Sequence, residues 1–500
     1  MASARRDVVV VGAGHNSLVA ACLLARAGLD VEVVERDTVV GGAVSTVERW
    51  PGHRVDRGSS LHVMIRRTGI IEQLDLAGVG LRYLDVDPWG FVPMPTAPGG
   101  GVLLWHDLER TCASIREACG PVDAAGYRAL VEAWGERALR LLDVMGRPGA
   151  SALRDGRELG GRARDWLGSG DALLARHLTD ERLVGGLAWL GAQAGPPTHR
   201  PGSAALVGWN TALHTLTPGR PVGGSGRLTE ALAARLLSDG GSVRLGDAAA
   251  QVVSGGGRVT GVRTHSGDLL EADAVVAGCH ISHLLAISGA EHARLGRRVD
   301  VGTGMGMVVR VVTDALPRWS GAPADAWAGM QLLCGSRGRL RAAWADSRAG
   351  RSPWAPPVLV MTPTHTDTTL APAGRHVITL WSQWHPHAGT EDAAAEPILD
   401  AVEAAAPGFR ASVRAVHVQT PRELERELAL PVGNVMHVDM TLRASFGGRP
   451  TRRLGGHRGP LDGLYRCGAS TAPGGGVWGA SGRTAATLLL EDLGLSGAAA

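Results

Sequence analysis

The chain has 500 residues, with 51 basic against 48 acidic, 44% hydrophobic and 20% charged. This balance excludes a disordered chain, and a formal charge of +3 gives none of the basic footprint that nucleic acid requires. Every basic residue is arginine, since the sequence contains no lysine, which excludes a lysine base or Schiff base.

The first forty residues are the clearest segment. Asp7 to Val11 is a run of valines fit for a strand buried on both faces. A tight Gly12-Ala13-Gly14 turn leads into an apolar helix pattern over Asn16 to Ala27, and a second strand over Leu29 to Val34 ends in Glu35. This is a βαβ unit. Its glycines let the backbone turn and approach a pyrophosphate, which the helix N-terminus then holds. Ser17 stands where the third glycine of the pattern is expected. Glu35, 23 residues after Gly12, is placed to accept the hydroxyls of an adenosine ribose. A second glycine pair follows at Gly41-Gly42-Ala43, where the backbone can pass the other side of a longer dinucleotide.

Helical patterns follow over Ala124–Met145 and Asp171–Gly191, separated by an Arg/Gly-rich loop near Gly146–Gly170. Gly223-Gly224-Ser225-Gly226 precedes a helix over Leu228–Leu237 and a short strand at Ser242–Leu245. Residues 250–278 read as hairpins, and 298–313 and 358–385 carry further strand patterns. Gly302-Thr303-Gly304-Met305-Gly306 leads into a strand, not a helix, so it is rejected as a second dinucleotide site. The last forty residues return to a strand, a Gly-rich loop and a helix. Six cysteines are scattered with no CxxC, the start MASARRDVVVVGAG lacks an apolar signal region, and no eighteen-residue apolar run occurs. The expectation is a cytoplasmic chain with reduced thiols, in contact with a membrane at its surface at most.

Three segments, GAGHNSLVAACLLARAGLDVEVVERDTVVGGA, GGSGRLTEALA and GLYRCGASTAPGGGVWGASGRTAA, resemble the phytoene desaturase-like FAD oxidoreductases. The similarity is greatest to the branch of pyridine nucleotide-disulfide oxidoreductase domain-containing proteins. The resemblance implies an α/β fold: a discontinuous Rossmann-type FAD-binding domain (1–80, 216–285 and 455–500) with an inserted α+β substrate domain (81–215 and 286–454). It implies FAD contacts at Gly12, Gly14, Asn16, Glu35, Arg36, Gly42 and Ala43, then at Val252, Gly468, Ala469 and Val477. Trp478 is expected beside the flavin ring.

Candidate catalytic residues are fewer. Ser60 and His62 lie where such chains pass under the flavin, and His62 is a candidate base. His437 and Asp439, two apart, would share a face of a strand as a proton acceptor and its orienting carboxylate. His385-Pro386-His387 lacks a third ligand, so no metal is expected. The reading is an FAD-dependent dehydrogenase or desaturase of a largely apolar small molecule, with oxygen, a quinone or another acceptor taking the electrons. A redox-neutral double-bond isomerase, an amine or amino-acid oxidase, and a non-catalytic flavin-binding protein are the rival readings. The oligomeric state stays open.

Overall fold

A run of valines cannot alternate between core and solvent, so it needs cover on both faces. Strand Arg6–Val11 has that cover, with Val8, Val9 and Val10 at 0% exposure. In this computed structural model, which describes residues 5–146, 163–302, 306–445 and 448–495, that strand lies between parallel partners Val31–Val34 and Leu269–Ala277. Ser242–Arg244 and Leu464–Arg466 extend the parallel sheet on its two sides. The antiparallel pair Ala249–Gly255 and Arg258–Thr264 hangs on the first residues of Leu269–Ala277.

Helix His15–Arg26 crosses from the first strand to the second and is buried from Asn16 to Ala25. Two helices grip it. Cys22 Sγ donates to Leu232 O of helix Arg227–Ser238 at 3.2 Å. On the other side Gly482 of helix Ala480–Asp492 lies so near that a Cβ there would be 1.9 Å from Asn16 O.

A second seven-stranded sheet runs in the order Val413–Gln419, Gly306–Thr313, His376–Gln383, Val358–Met361, Met330–Leu333, Gly90–Pro93, Gly101–Leu104. Its pairs are antiparallel except Met330–Leu333 with Gly90–Pro93. Helices Leu108–Cys119, Pro121–Gly146 and Glu181–Ala192 cover one side of it, on a core that includes Trp89, Trp189 and Trp384. All strands of the parallel sheet come from 1–80, 216–285 and 455–500, and all strands of the second from 81–215 and 286–454.

One helix differs from its sequence pattern. The stretch Asp171–Gly191 is two helices, Gly170–Ala175 and Glu181–Ala192. Asp180 caps the second, accepting from Arg182 N at 2.9 Å. The carboxylate of Asp123, 56 and 57 residues earlier, accepts from Thr179 N at 2.6 Å and Asp180 N at 3.1 Å, and it turns the chain where local propensity would continue the helix. Most of the Arg/Gly-rich loop near Gly146–Gly170 lies outside the described residues, as does Gly304; Gly306 opens a strand.

The Gly482 contact makes a direct prediction. Gly482→Ala is expected to lower stability by about 1–3 kcal/mol by overpacking. Gly338→Ala, in an exposed helical turn where a Cβ meets Ser336 Oγ at 3.4 Å, is expected to raise it by about 0.5 kcal/mol. Urea unfolding of the two variants checks the contrast.

Candidate functional site

The site starts where the central strand ends. Gly12 takes φ +90°, a conformation other residues resist. A Cβ on Gly14 or Gly42 would meet no protein atom within 4 Å, so the backbone there faces open space. Ser17 replaces the expected glycine, and the close approach is kept by Gly278 on the neighbouring strand end, where a Cβ would lie 1.9 Å from Ser17 Oγ. Glu35 holds the loop from below. Its Oε2 accepts from Ala13 N at 2.7 Å and its Oε1 from Asp37 N at 2.9 Å. Each carboxylate oxygen keeps a further lone pair. Asn16 is buried, its Nδ2 lies 2.9 Å from His15 Nε2, and its Oδ1 has no hydrogen-bond partner.

These groups border a cavity of about 800 Å³. Gly12, Gly14, Asn16, Glu35 and Arg36 reach its wall, as do Gly42, Ala43 and Ser60. Gly468 and Ala469, just past strand Leu464–Arg466, border it too, as do Val477, Trp478 and His437 from turns. Val477 has φ +57° and Trp478 Nε1 donates to Gly475 O at 3.0 Å, so the turn before helix Ala480–Asp492 holds the indole in place.

Three expected site residues do not border the cavity. Val252 faces inward from its strand into the core with Val259 and Val262, and Ala248 and Ala249 reach the wall in its place. His62 turns away between two wall residues, Leu61 and Val63. It is fully buried, with Nδ1 2.7 Å from Tyr83 OH and Nε2 2.8 Å from Ser225 Oγ. Burial pushes its pKa down to about 3. His62 therefore joins the Gly223–Gly226 loop to strand Tyr83–Asp85 and is no base for substrate. Asp439 is the third. Residues 434–440 form a turn, not a strand, with His437 at φ +64°. Asp439 accepts from Asn434 Nδ2 at 2.9 Å, whereas His437 Nδ1 lies 2.9 Å from Ser470 Oγ. The charges that bear on the His437 ring are those of His280, Arg449 and His15.

The residues that set His437 in place were missed in the sequence. His280 caps its helix by accepting from Ser282 N at 3.1 Å, so its other nitrogen donates to His437 O at 3.0 Å. Buried Arg449 donates to Ala469 O and Val438 O, each at 2.7 Å, and to Met436 O. One guanidinium thus joins the His437 turn to the Gly468-Ala469 strand end. An arginine among 51 carries no signal of this in the sequence.

A glycine turn on a central parallel strand, an acidic residue ending the next strand, and a long cavity shared with a second sheet define a dinucleotide-binding oxidoreductase fold of two domains. Residues 10–72 match the family described as "NAD(P)-binding Rossmann-like domain". The chain is 31% identical to pyridine nucleotide-disulfide oxidoreductase domain-containing protein 2 of Rattus norvegicus, across 97% of this chain and 94% of that protein. It is 28% identical to phytoene dehydrogenase of Streptomyces griseus, across 74% and 71%. A solved structure of putrescine oxidase bound to putrescine has the same fold, at TM-score 0.63 and 17% identity over 98% of this chain and 99% of that one. The chain belongs to the phytoene desaturase-like FAD oxidoreductases, on the branch of the pyridine nucleotide-disulfide oxidoreductase domain-containing proteins. Among its described residues no helix is long and apolar enough to cross a membrane.

Buried histidines, at the site and elsewhere in the core, are expected to make the fold acid-sensitive. Desolvation pushes His15, His280 and His457 down to about 4, and His62 and His385 to about 3. Below about pH 6.5 the unfolded chain binds protons there that the folded chain refuses, so folding stability falls with pH. Each such histidine contributes about 1.4 kcal/mol of loss per pH unit between about pH 6 and pH 4. Urea unfolding at stepped pH is expected to show this decline, and His62→Gln is expected to make it shallower by the share of one histidine.

Proposed function

We propose that this chain is an FAD-dependent oxidoreductase that dehydrogenates a largely apolar small molecule. The observation that carries the proposal is the division of one continuous cavity into two chemically different ends. At one end are the Gly14 and Gly42 turns, Glu35 with lone pairs to spare, and the unmatched Asn16 Oδ1. That set fits the diphosphate and ribose of FAD, with the amide donors of helix His15–Arg26 at the phosphates. The other end is lined by Leu206, Trp209, Met330, Leu359, Met361 and Trp381. Among the described residues, no Asp, Glu, Arg or His from 141–209 or 330–381 reaches the wall. An ammonium or carboxylate substrate would find no counter-charge there, and burying it unpaired is costly.

Bound FAD supplies a two-electron acceptor for a hydride from the substrate carbon. The protein's part is to orient and to handle the proton. Glu35 and Asn16 fix the adenosine half. The Gly476–Trp478 turn fixes the far half, and the apolar chamber excludes water. His437 offers a neutral imidazole, since burial and the nearby His280 and Arg449 hold its pKa well below 6.5. Ser470 engages Nδ1, which leaves Nε2 to take the proton from the carbon next to the oxidised one. A ring that resists ionisation is a weak base, so its contribution falls at the low end of general-base catalysis.

Purified protein is expected to show the visible spectrum of oxidised flavin and to release equimolar FAD on denaturation. Under anaerobic conditions an apolar alkene should bleach it and yield a product two hydrogens lighter. Bleaching by amines alone, a product of unchanged mass, or a colourless protein that FAD cannot reconstitute would each overturn the proposal. His437→Gln is expected to lower kcat about 100-fold with FAD content unchanged, read by steady-state kinetics and by the flavin absorbance. Gly14→Val should leave the protein folded and free of FAD, read by circular dichroism and absorbance.

A further inference from the structure

Among the described residues, Gln193 places the one side-chain amide on the wall of the apolar chamber. Gln193 follows the last turn of helix Glu181–Ala192, at its C-cap, and reaches the cavity wall. Its side-chain amide has no hydrogen-bond partner among the described residues, although the backbone around it is held from three directions. Gln383 Nε2 donates to Ala192 O at 3.0 Å and Gln193 O at 3.5 Å. Met440 N donates to Ala194 O at 3.0 Å. Trp384 Nε1 donates to Gly195 O at 2.9 Å. The groups making these bonds are themselves packed: Gln383 and Trp384 are fully buried or nearly so.

A rigid turn that presents an unpaired amide to an apolar space is a preorganised recognition element. Ligand sites of this kind are mostly apolar, with a few polar groups that fix orientation. The amide both donates and accepts, so it suits a hydroxyl or carbonyl oxygen. It carries no charge, and no ionisable side chain from 141–209 or 330–381 joins it on the wall. The same turn is bonded, through Met440 N, to the segment that carries His437. Gln193 is therefore tied through the backbone to the segment that carries His437.

We infer that Gln193 is a specificity-determining residue, and that the substrate is an elongated apolar molecule bearing one uncharged oxygen, a hydroxyl or a carbonyl, that hydrogen-bonds to its amide. This rests on the reading of the chamber as the substrate site.

Equilibrium dialysis of the full chain as purified tests it with decan-1-ol, 1-decene and decanoate. The wild-type protein is expected to bind decan-1-ol about tenfold more tightly than 1-decene, the worth of one well-made neutral hydrogen bond, and to bind decanoate least. Gln193→Met keeps the length and volume of the side chain. It is expected to leave 1-decene binding unchanged and to remove the advantage of the alcohol. Equal binding of alcohol and alkene by the wild type overturns the inference without any variant, and so does an advantage that survives in Gln193→Met. If none of the three ligands binds, the reading of the chamber as a substrate site fails as well, and flavin content then shows whether the cofactor end stands without it.

Discussion

The structure depends on how closely one helix can be approached. Helix His15–Arg26 has to bring its N-terminus to the end of the central strand, at a distance that leaves no room for side chains on its neighbours. Gly482 lets the C-terminal helix lie against the Asn16 carbonyl, and Gly278 accommodates Ser17 Oγ. Both contacts are made by residues more than 250 positions away. They fix where Gly14 and Asn16 face, and so where the diphosphate of a dinucleotide can lie. The Glu35 bridge to Ala13 N completes this frame from the next strand. The far half of the cavity is then shaped by the second sheet and its helices.

Much of this was legible in the sequence for physical reasons. A valine run, a glycine turn, an apolar helix and an acid in register leave few alternatives, and the strands and helices of the nucleotide-binding segments follow the pattern to within a few residues. The glycine replaced by Ser17 was readable as a mild departure; that Gly278 balances it was not, because the compensation lies on another strand. The same limit applied to Asp171–Gly191. Its helical pattern is real, but the Asp123 carboxylate, which no local rule connects to Thr179 and Asp180, divides it.

The site chemistry was less legible than the frame. His62 and His437 look alike in sequence, each a lone histidine near a motif. The structure separates them by one observation: both His62 nitrogens have protein partners and the residue is off the wall, while His437 borders the cavity and only its Nδ1 has a side-chain partner among the described residues. Spacing two apart made His437 and Asp439 a pair only on the assumption of a strand. A left-handed residue at 437 breaks that periodicity and sends the carboxylate to Asn434 instead. The residues that hold the turn, Arg449 and His280, act by donating to backbone carbonyls. Such roles depend on where carbonyls meet in space, and they leave no mark in spacing or composition. Arg310, on strand Gly306–Thr313 and buried, plays the same part by donating to Asp56 O and Arg57 O at 2.7 Å, which ties the second sheet to the end of strand His53–Asp56.

The order in which the chain is made gives the last strand and helix a further meaning. The first helix is translated early, but its partner Gly482 and the strand Leu464–Arg466 emerge about 450 residues later. At 5–20 residues per second this interval is roughly 20–90 s. During that time the nucleotide-binding unit lacks the Gly468-Ala469 end and the Val477–Trp478 turn that close its cavity. A growing chain therefore has no complete cradle, and under the proposed function capture of FAD would record that synthesis has passed helix Ala480–Asp492.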